Sequence, residues 1–234
     1  MTDCFKRYEL KYLLNETQYK SFVSLTENFL KPDVYFDSQV CNVYYDTDDN
    51  RLIRRSLEKP VYKEKLRLRS YGTPKIGDKV FLELKKKYDS VVYKRRESMT
   101  VENAENFLRS PEPFSQISRE ISYFIDFYGE LTPKYYLCYN RLAFVGKTDE
   151  NTRLTFDKDV LYRTENVDLK AGAYGERVIP ENTVLLEIKI ADGMPLWLSG
   201  ALSEIKAYKT SFSKYGAAYS AELGKKQKGD LLYA

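Results

Sequence analysis

Arginines and lysines recur at every second position in several stretches of this chain, with isolated glutamates among them. In Lys63-Glu-Lys-Leu-Arg-Leu-Arg69 a strand puts Lys65, Arg67 and Arg69 on one face and Leu66 and Leu68 on the other. In Phe81-Leu-Glu-Leu-Lys85 it pairs Glu83 with Lys85, opposite Leu82 and Leu84. The same alternation groups Arg7, Glu9 and Lys11, then Lys94 with Arg96, Tyr139 with Arg141, Arg153 with Thr155 and Asp157, and Glu187 with Lys189. Guanidinium forks suit phosphate oxygens, and carboxylates suit a hard, oxygen-loving cation. Cations gathered on one face repel unless a polyanion lies among them. The chemistry in view is binding of a phosphate chain with a divalent ion. The ordinary alternative is an antiparallel sheet with one wet face. Recurrence from residue 7 to residue 189, with Arg and Lys where a wet face would mix in Thr, Ser and Gln, weighs toward a site.

Composition narrows the chemistry further. The 234 residues suit one large domain or two small ones, and a net charge of +4 makes any strong basicity local. The chain has no histidine, which excludes His-ligated zinc, Ser-His-Asp triads and a histidine acid or base. Cys4, Cys41 and Cys138 lack metal-type spacing and read as buried free thiols. No apolar run approaches the ~18 residues of a membrane span and no signal-peptide core is present, so the expected location is the cytoplasm. Nucleic acid is not an expected partner, because the basic residues sit in register beside glutamates without a single-strand-binding signature.

The elements that must position these residues follow in order. A first strand is expected over 5–13, then a helix capped by Asn15 and Gln18, with its apolar face running from Tyr19 to Leu30 and its end at Lys31-Pro. A short strand over 40–45 and a basic segment, Arg51 to Arg55, lead to the hairpin, whose turn is Tyr71-Gly-Thr-Pro through Gly77-Asp. Further strands are expected over 91–99, 134–145, 153–157 and 184–190, with helices over 102–108, 116–128 and 195–206. Ser213 is expected to cap a short last helix, and the lysines of Gly224-Lys-Lys-Gln-Lys-Gly to be solvated. The expected fold is α+β: one domain of roughly eight strands, closing into a barrel with helices outside and the charged faces within.

The residues in their order resemble the catalytic domain of the vacuolar transporter chaperone (VTC) family of polyphosphate polymerases, among the triphosphate tunnel metalloenzymes. The matching segments are Glu9-Leu-Lys-Tyr12, Tyr44-Tyr-Asp-Thr47, Leu66-Arg-Leu-Arg69, Phe81-Leu-Glu-Leu-Lys85, Tyr139-Asn-Arg141, Arg153-Leu-Thr-Phe-Asp157, Leu186-Glu-Ile-Lys189 and Phe212-Ser-Lys-Tyr215. One departure is that the wider superfamily opens Glu-x-Glu-x-Lys, where this chain has Arg7, Glu9 and Lys11.

The resemblance implies an eight-stranded antiparallel tunnel over 1–224, with 225–234 a basic tail. It implies transfer of the γ-phosphoryl group of ATP to a growing polyphosphate, with Mn²⁺ or Mg²⁺. By position, Arg67, Arg69, Lys85, Arg141, Arg153 and Lys189 would act on the reacting phosphates. Lys11, Lys94, Tyr139, Ser213 and Lys214 would bind substrate phosphate, and Glu187, Glu83 and Glu9 would hold the metal. ATP and polyphosphate are the implied partners, and a membrane partner stays open. A polyphosphate end is anionic at neutral pH and attacks without a general base, so a chain lacking histidine suits a polymerase slightly better than a hydrolase. A triphosphate hydrolase and a silent polyphosphate-binding module are the alternatives.

Overall fold

The computed structural model describes residues 8–89, 91–191 and 193–232. In chain order its elements are β1 (Tyr8–Asn15), α1 (Glu16–Thr26), β2 (Leu30–Asp46), α2 (Arg51–Leu57), β3 (Tyr62–Tyr71), β4 (Lys79–Tyr88), β5 (Val91–Thr100), α3 (Val101–Arg109) and α4 (Gln116–Tyr128). They continue with β6 (Thr132–Gly146), β7 (Arg153–Arg163), a 3₁₀ turn at Leu169–Ala171, β8 (Glu176–Arg177), β9 (Thr183–Ile190), α5 (Leu196–Glu204) and α6 (Lys214–Leu232). The strands hydrogen-bond in the order β1-β9-β7-β6-β2-β3-β4-β5, with the two-residue β8 on β7. The class is α+β, built on one large antiparallel sheet. Against the eight expected strands, β8 makes nine, and no ladder joins β1 to β5 among the described residues.

The chain divides into two units, each with its own core. The first takes the residues up to Gln39, with Tyr139–Val160 and Ile179–Phe212. Here β1, β7 and β9 turn Leu14, Leu154, Phe156, Leu186 and Ile188 toward Phe22 of α1 and Leu198 and Leu202 of α5. Asn15 caps α1 in a reciprocal pair of bonds with Gln18, at 2.9 and 3.0 Å, as its spacing predicts. Trp197 of α5 stacks on Phe29 at 4.9 Å.

The second unit takes Val40–Cys138, Leu161–Val178 and the residues from Ser213 on. The alternating Leu66, Leu68, Leu82 and Leu84 of the β3–β4 hairpin are buried against Phe107 of α3 and Ile121, Phe124 and Ile125 of α4. Each such leucine stabilises the fold by roughly 1.5–3 kcal/mol. The hairpin loop uses Gly72 and Gly77 at φ +76° and +85°, backbone positions that side chains disfavour. With the leucines facing the helices, the cations at 65, 67 and 69 face the other way.

Several boundaries differ from expectation. The strand expected from Phe5 is seen from Tyr8; Phe5 to Arg7 and Cys4 lie outside the described residues. Helix α1 stops at Thr26, whose hydroxyl donates back to the Phe22 carbonyl at 2.8 Å, and the chain enters β2 at Leu30, passing Pro32 as strand. The basic segment after Asn50 is helical, because Asp46 accepts from the backbone N–H groups of Leu52 and Ile53 at 2.8 and 3.0 Å. The last helix is long, running through Gly224 to Leu232. Lys225 is not simply solvated: its ammonium lies 2.6 Å from Glu176 and over the Tyr162 ring. The side chains of Lys226 and Lys228 lie outside the described residues. Cys138 is a buried free thiol, as expected, and Cys41 is buried as well. Among the described residues no helix is long and apolar enough to cross a membrane.

Candidate functional site

The second unit concentrates charge around one buried carboxylate. Register sets Arg67 of β3 and Arg96 of β5 directly opposite Glu83 on the central strand β4. Glu83 is 1% exposed; one oxygen accepts from Arg67 at 2.8 Å, the other from Arg96 at 2.7 Å and from Lys94, also at 2.7 Å. The Arg69 guanidinium lies 3.8 Å away and is held by Asn42 at 2.9 Å, whose own amide donates to the Leu137 carbonyl. Four cations thus share one anion, within 4 Å of it. Burial would raise the Glu83 carboxyl, but Arg67, Arg69 and Lys94 outweigh it and hold the group well below the usual carboxylate range. Both oxygens accept directly from cations, at 2.7 and 2.8 Å, so Glu83 acts as a counter-ion that aims arginines.

Tyr44, opposite Arg67, accepts from its guanidinium at 3.0 Å and stacks on Tyr215 at 4.4 Å. Burial would raise the Tyr44 phenol, but Arg67, Arg69 and Lys214 together lower it. Tyr215 donates to Asp46 at 2.9 Å, which fixes the start of α6. Ser213 caps that start, accepting from the Gly216 N–H and from Lys65 at 3.2 Å each. Lys214 is the first residue of the helix, and Lys85 sits opposite both Lys65 and Lys94. Arg67, Arg69, Lys85, Lys94, Ser213 and Lys214 therefore belong to this unit.

The Lys94 ammonium is depressed from the usual lysine range. Removal from water outweighs the pull of Glu83 and pushes its ammonium down to about 8, although the side chain keeps 40% exposure. A lysine that loses its charge as pH rises through about 8 binds an anion less well above that point. Tripolyphosphate affinity, measured by calorimetry from about pH 7 to about pH 9, should decline across the range, and Lys94→Arg should flatten the profile. An equal decline in the arginine variant would assign the titration to another group.

The first unit holds a second cluster. Arg141 of β6 grips Asp157 of β7 with two bonds, at 2.6 and 2.7 Å, and approaches Glu187 at 3.7 Å over the Tyr139 ring. Burial works against its charge, but Tyr139, Asp157 and Glu187 keep it firmly cationic. Lys11, opposite Glu187 in the β1–β9 ladder, lies 3.5 Å from Glu187 and 3.1 Å from Glu9. Its ammonium also donates to the Phe212 carbonyl at 3.3 Å. Lys189 lies opposite both Glu9 and Arg153, and Arg153 approaches Asp33 at 4.0 Å.

The fit to a divalent cation rests on this cluster. Glu9 and Glu187 meet at one cation, and opposite Glu187 the hydroxyl of Thr155 is buried with no hydrogen-bond partner among the described residues. Two carboxylates and a hydroxyl suit Mg²⁺ or Mn²⁺, which take their remaining ligands from phosphate and water. Among the described residues no three His, Cys, Asp or Glu side chains converge as a ready cage. Asp157, Arg96 and Thr155, grouped by alternation, and Tyr44, in a matching segment, join these clusters without having been given a site role by sequence. Tyr44 and Asp46 share a strand face in Tyr44-Tyr-Asp-Thr47, and Arg96 shares one with Lys94, which is the signal that points to them.

The model of the VTC domain family matches residues 6–223. Among solved structures, a candidate adenylate cyclase from Bacillus halodurans superposes with a TM-score of 0.55 at 15% identity, covering 88% of this chain and 92% of that one. A candidate adenylate cyclase from Vibrio parahaemolyticus gives a TM-score of 0.47 at 12% identity, over 92% of this chain and 98% of that one. The first of these likenesses supports the fold alone. No curated protein sequence matches. The family match covers nearly the whole length and contains both clusters: the chain belongs to the VTC domain family, which acts on triphosphate and polyphosphate substrates.

Proposed function

We propose that the protein is a polyphosphate polymerase, transferring the γ-phosphoryl group of ATP to a growing chain within a tunnel formed by its charged strand faces. The observation that carries this reading is the set of four cations aimed by one buried carboxylate, a surplus of positive charge that an oligophosphate would balance. Family membership supports it. The free thiol of Cys138 accords with a reducing compartment, and we propose the cytoplasm as the protein's location.

In the proposed reaction a terminal phosphate oxygen of the chain attacks Pγ in line, the Pγ–O bond to the β-phosphate breaks, and ADP leaves. Such a transition state asks for alignment and charge stabilisation, not covalent catalysis. Arg67 and Arg69, locked by Glu83 and Asn42, would hold phosphate oxygens without reorganising. Arg141 on Asp157, with Arg153 and Lys189, would hold others, while Lys11, Tyr139, Ser213 and Lys214 supply further bonds. The attacking oxygen is already ionised, so no base is needed, in keeping with a chain without histidine. A divalent cation on Glu9 and Glu187 would supply charge neutralisation for the triphosphate.

Purified protein incubated with ATP and Mn²⁺ or Mg²⁺ should yield a ladder of chains on a polyphosphate gel with little free phosphate. Glu187→Gln should remove the ladder. Free phosphate without chains would replace this reading with a hydrolase. Tight polyphosphate binding with neither product would make the protein a binding module.

A further inference from the structure

The start of α6 is held by a carboxylate that reaches it from outside the helix. Asp46, the last residue of β2, is fully buried. Its Oδ1 accepts from the backbone N–H groups of Thr47 and Leu52, each at 2.8 Å. Its Oδ2 accepts from the Ile53 N–H at 3.0 Å and from the Tyr215 hydroxyl at 2.9 Å. One side chain thus joins the end of β2, the first turn of α2 and the first turn of α6. Three of these donors are near in sequence and cap α2; the Tyr215 phenol comes from 169 residues away. Tyr215 is fixed on other sides as well. Its ring stacks on Tyr44 at 4.4 Å, and the Lys65 ammonium lies 5.6 Å from its centroid. Gly216, next in the helix, seats the turn closely against α2: a Cβ there would lie 3.0 Å from the Leu57 Cδ2.

Tyr215 is 2% exposed and Asp46 not at all, so neither meets a ligand itself. What they aim is the pair just before them in the helix, Ser213 and Lys214. Lys65 donates to the Ser213 hydroxyl at 3.2 Å, and Arg67 donates to Tyr44, the ring on which Tyr215 stacks. We infer that Asp46 and Tyr215 are positioning residues, which through one phenol–carboxylate bond hold Ser213 and Lys214 at a fixed height beside the stacked Tyr44 and its Arg67. This deepens the polymerase reading and rests on it for Ser213 and Lys214 as phosphate ligands. A turn already locked in place binds an anion without further ordering, whereas a loosened turn must be ordered by the ligand, and affinity falls.

The test removes the bond and keeps the ring. In Tyr215→Phe the Asp46 Oδ2 retains the Ile53 N–H, so no buried oxygen is orphaned. Tripolyphosphate binding to the full chain, measured by calorimetry without turnover, should weaken about five- to tenfold. In a background of Ser213→Ala with Lys214→Gln, the same change should alter affinity by less than about twofold, because the bond acts through that pair. A bond with a structural role alone would lower the thermal midpoint and leave the affinity of the folded protein intact, or weaken binding equally in both backgrounds. Either result overturns the positioning role. Should Tyr215→Phe fail to fold, Gly216→Ala replaces it. Crowding against Leu57 should shift the turn and weaken tripolyphosphate, and adding Leu57→Ala should recover most of the loss. No loss, or loss without recovery, overturns the role. Chain extension by the wild type, assayed in parallel, separates the two claims. A wild type that binds with this dependence but extends no chain overturns the polymerase reading and leaves the positioning role standing. One that extends chains while the losses add does the reverse.

Discussion

Glu83→Gln is expected to lower stability by about 3–5 kcal/mol, the range for removing one partner from a buried ion pair. The glutamine keeps the shape but leaves Arg67, Arg96, Lys94 and Arg69 facing one another without their anion. Urea unfolding is the suitable measurement, since guanidinium salt would screen the charges in question. A carboxyl held below its unfolded value takes up its proton later in the folded state. Its stabilisation is therefore complete above the ordinary carboxylate range and drains away as pH falls through that range toward the folded value. That part of the acid dependence should vanish in the variant. Tripolyphosphate should restore the variant's thermal midpoint by more than it raises the wild type's, because the ligand supplies the missing negative charge. A stability within about 1 kcal/mol of wild type would show that the cations repel far less than their spacing implies.

Arg67→Ala is expected to slow chain extension about 10²–10³-fold, the usual cost of removing one preorganised donor to developing charge. Arg67 makes three contacts with two partners: Glu83 through Nε and one terminal nitrogen, and the Tyr44 hydroxyl through the other. Lysine offers a single ammonium in place of that fork, so Arg67→Lys should recover little of the loss. Initial rates at saturating ATP, read from γ-phosphate incorporated into chains, give the comparison. An alanine variant within about threefold of wild type would remove Arg67 from the reacting phosphate, since about threefold is well below the effect of a transition-state contact.

The hairpin was readable because the centre of one face is leucine, at 66, 68, 82 and 84, and a one-residue slip would bury the arginines. Helix α4 was readable for the same reason, with Ile117, Ile121, Phe124, Ile125 and Tyr128 at helical spacing. The first half of β2 was not: residues 31–39 are exposed or half-exposed on both faces, so no alternation marks them. Nor was the length of α6, where three glycines and a run of lysines hide the helical pattern. Charged positions were legible as members of a face, but their partners were not. Alternation groups Arg153, Thr155 and Asp157, yet that Asp157 serves Arg141 follows only once β6 lies beside β7. Glu83 likewise looked like any other carboxylate in a basic row until the register surrounded it with cations.

The ladder between β1 and β9 sets Tyr8 opposite Ile190 and Asn15 opposite Thr183. During synthesis the first strand emerges from the ribosome long before its partner exists. At about 5–20 residues per second the delay is roughly ten to forty seconds. Throughout it Leu10, Tyr12 and Leu14, apolar side chains meant for the first unit's core, have no sheet to join. The first unit is also assembled from three separated segments, the last ending at Phe212, so no nascent fragment short of that point contains it whole. The second unit's hairpin and α4 are local and complete far earlier. The hairpin and α4 therefore have their local partners in hand while β1 still waits for β9.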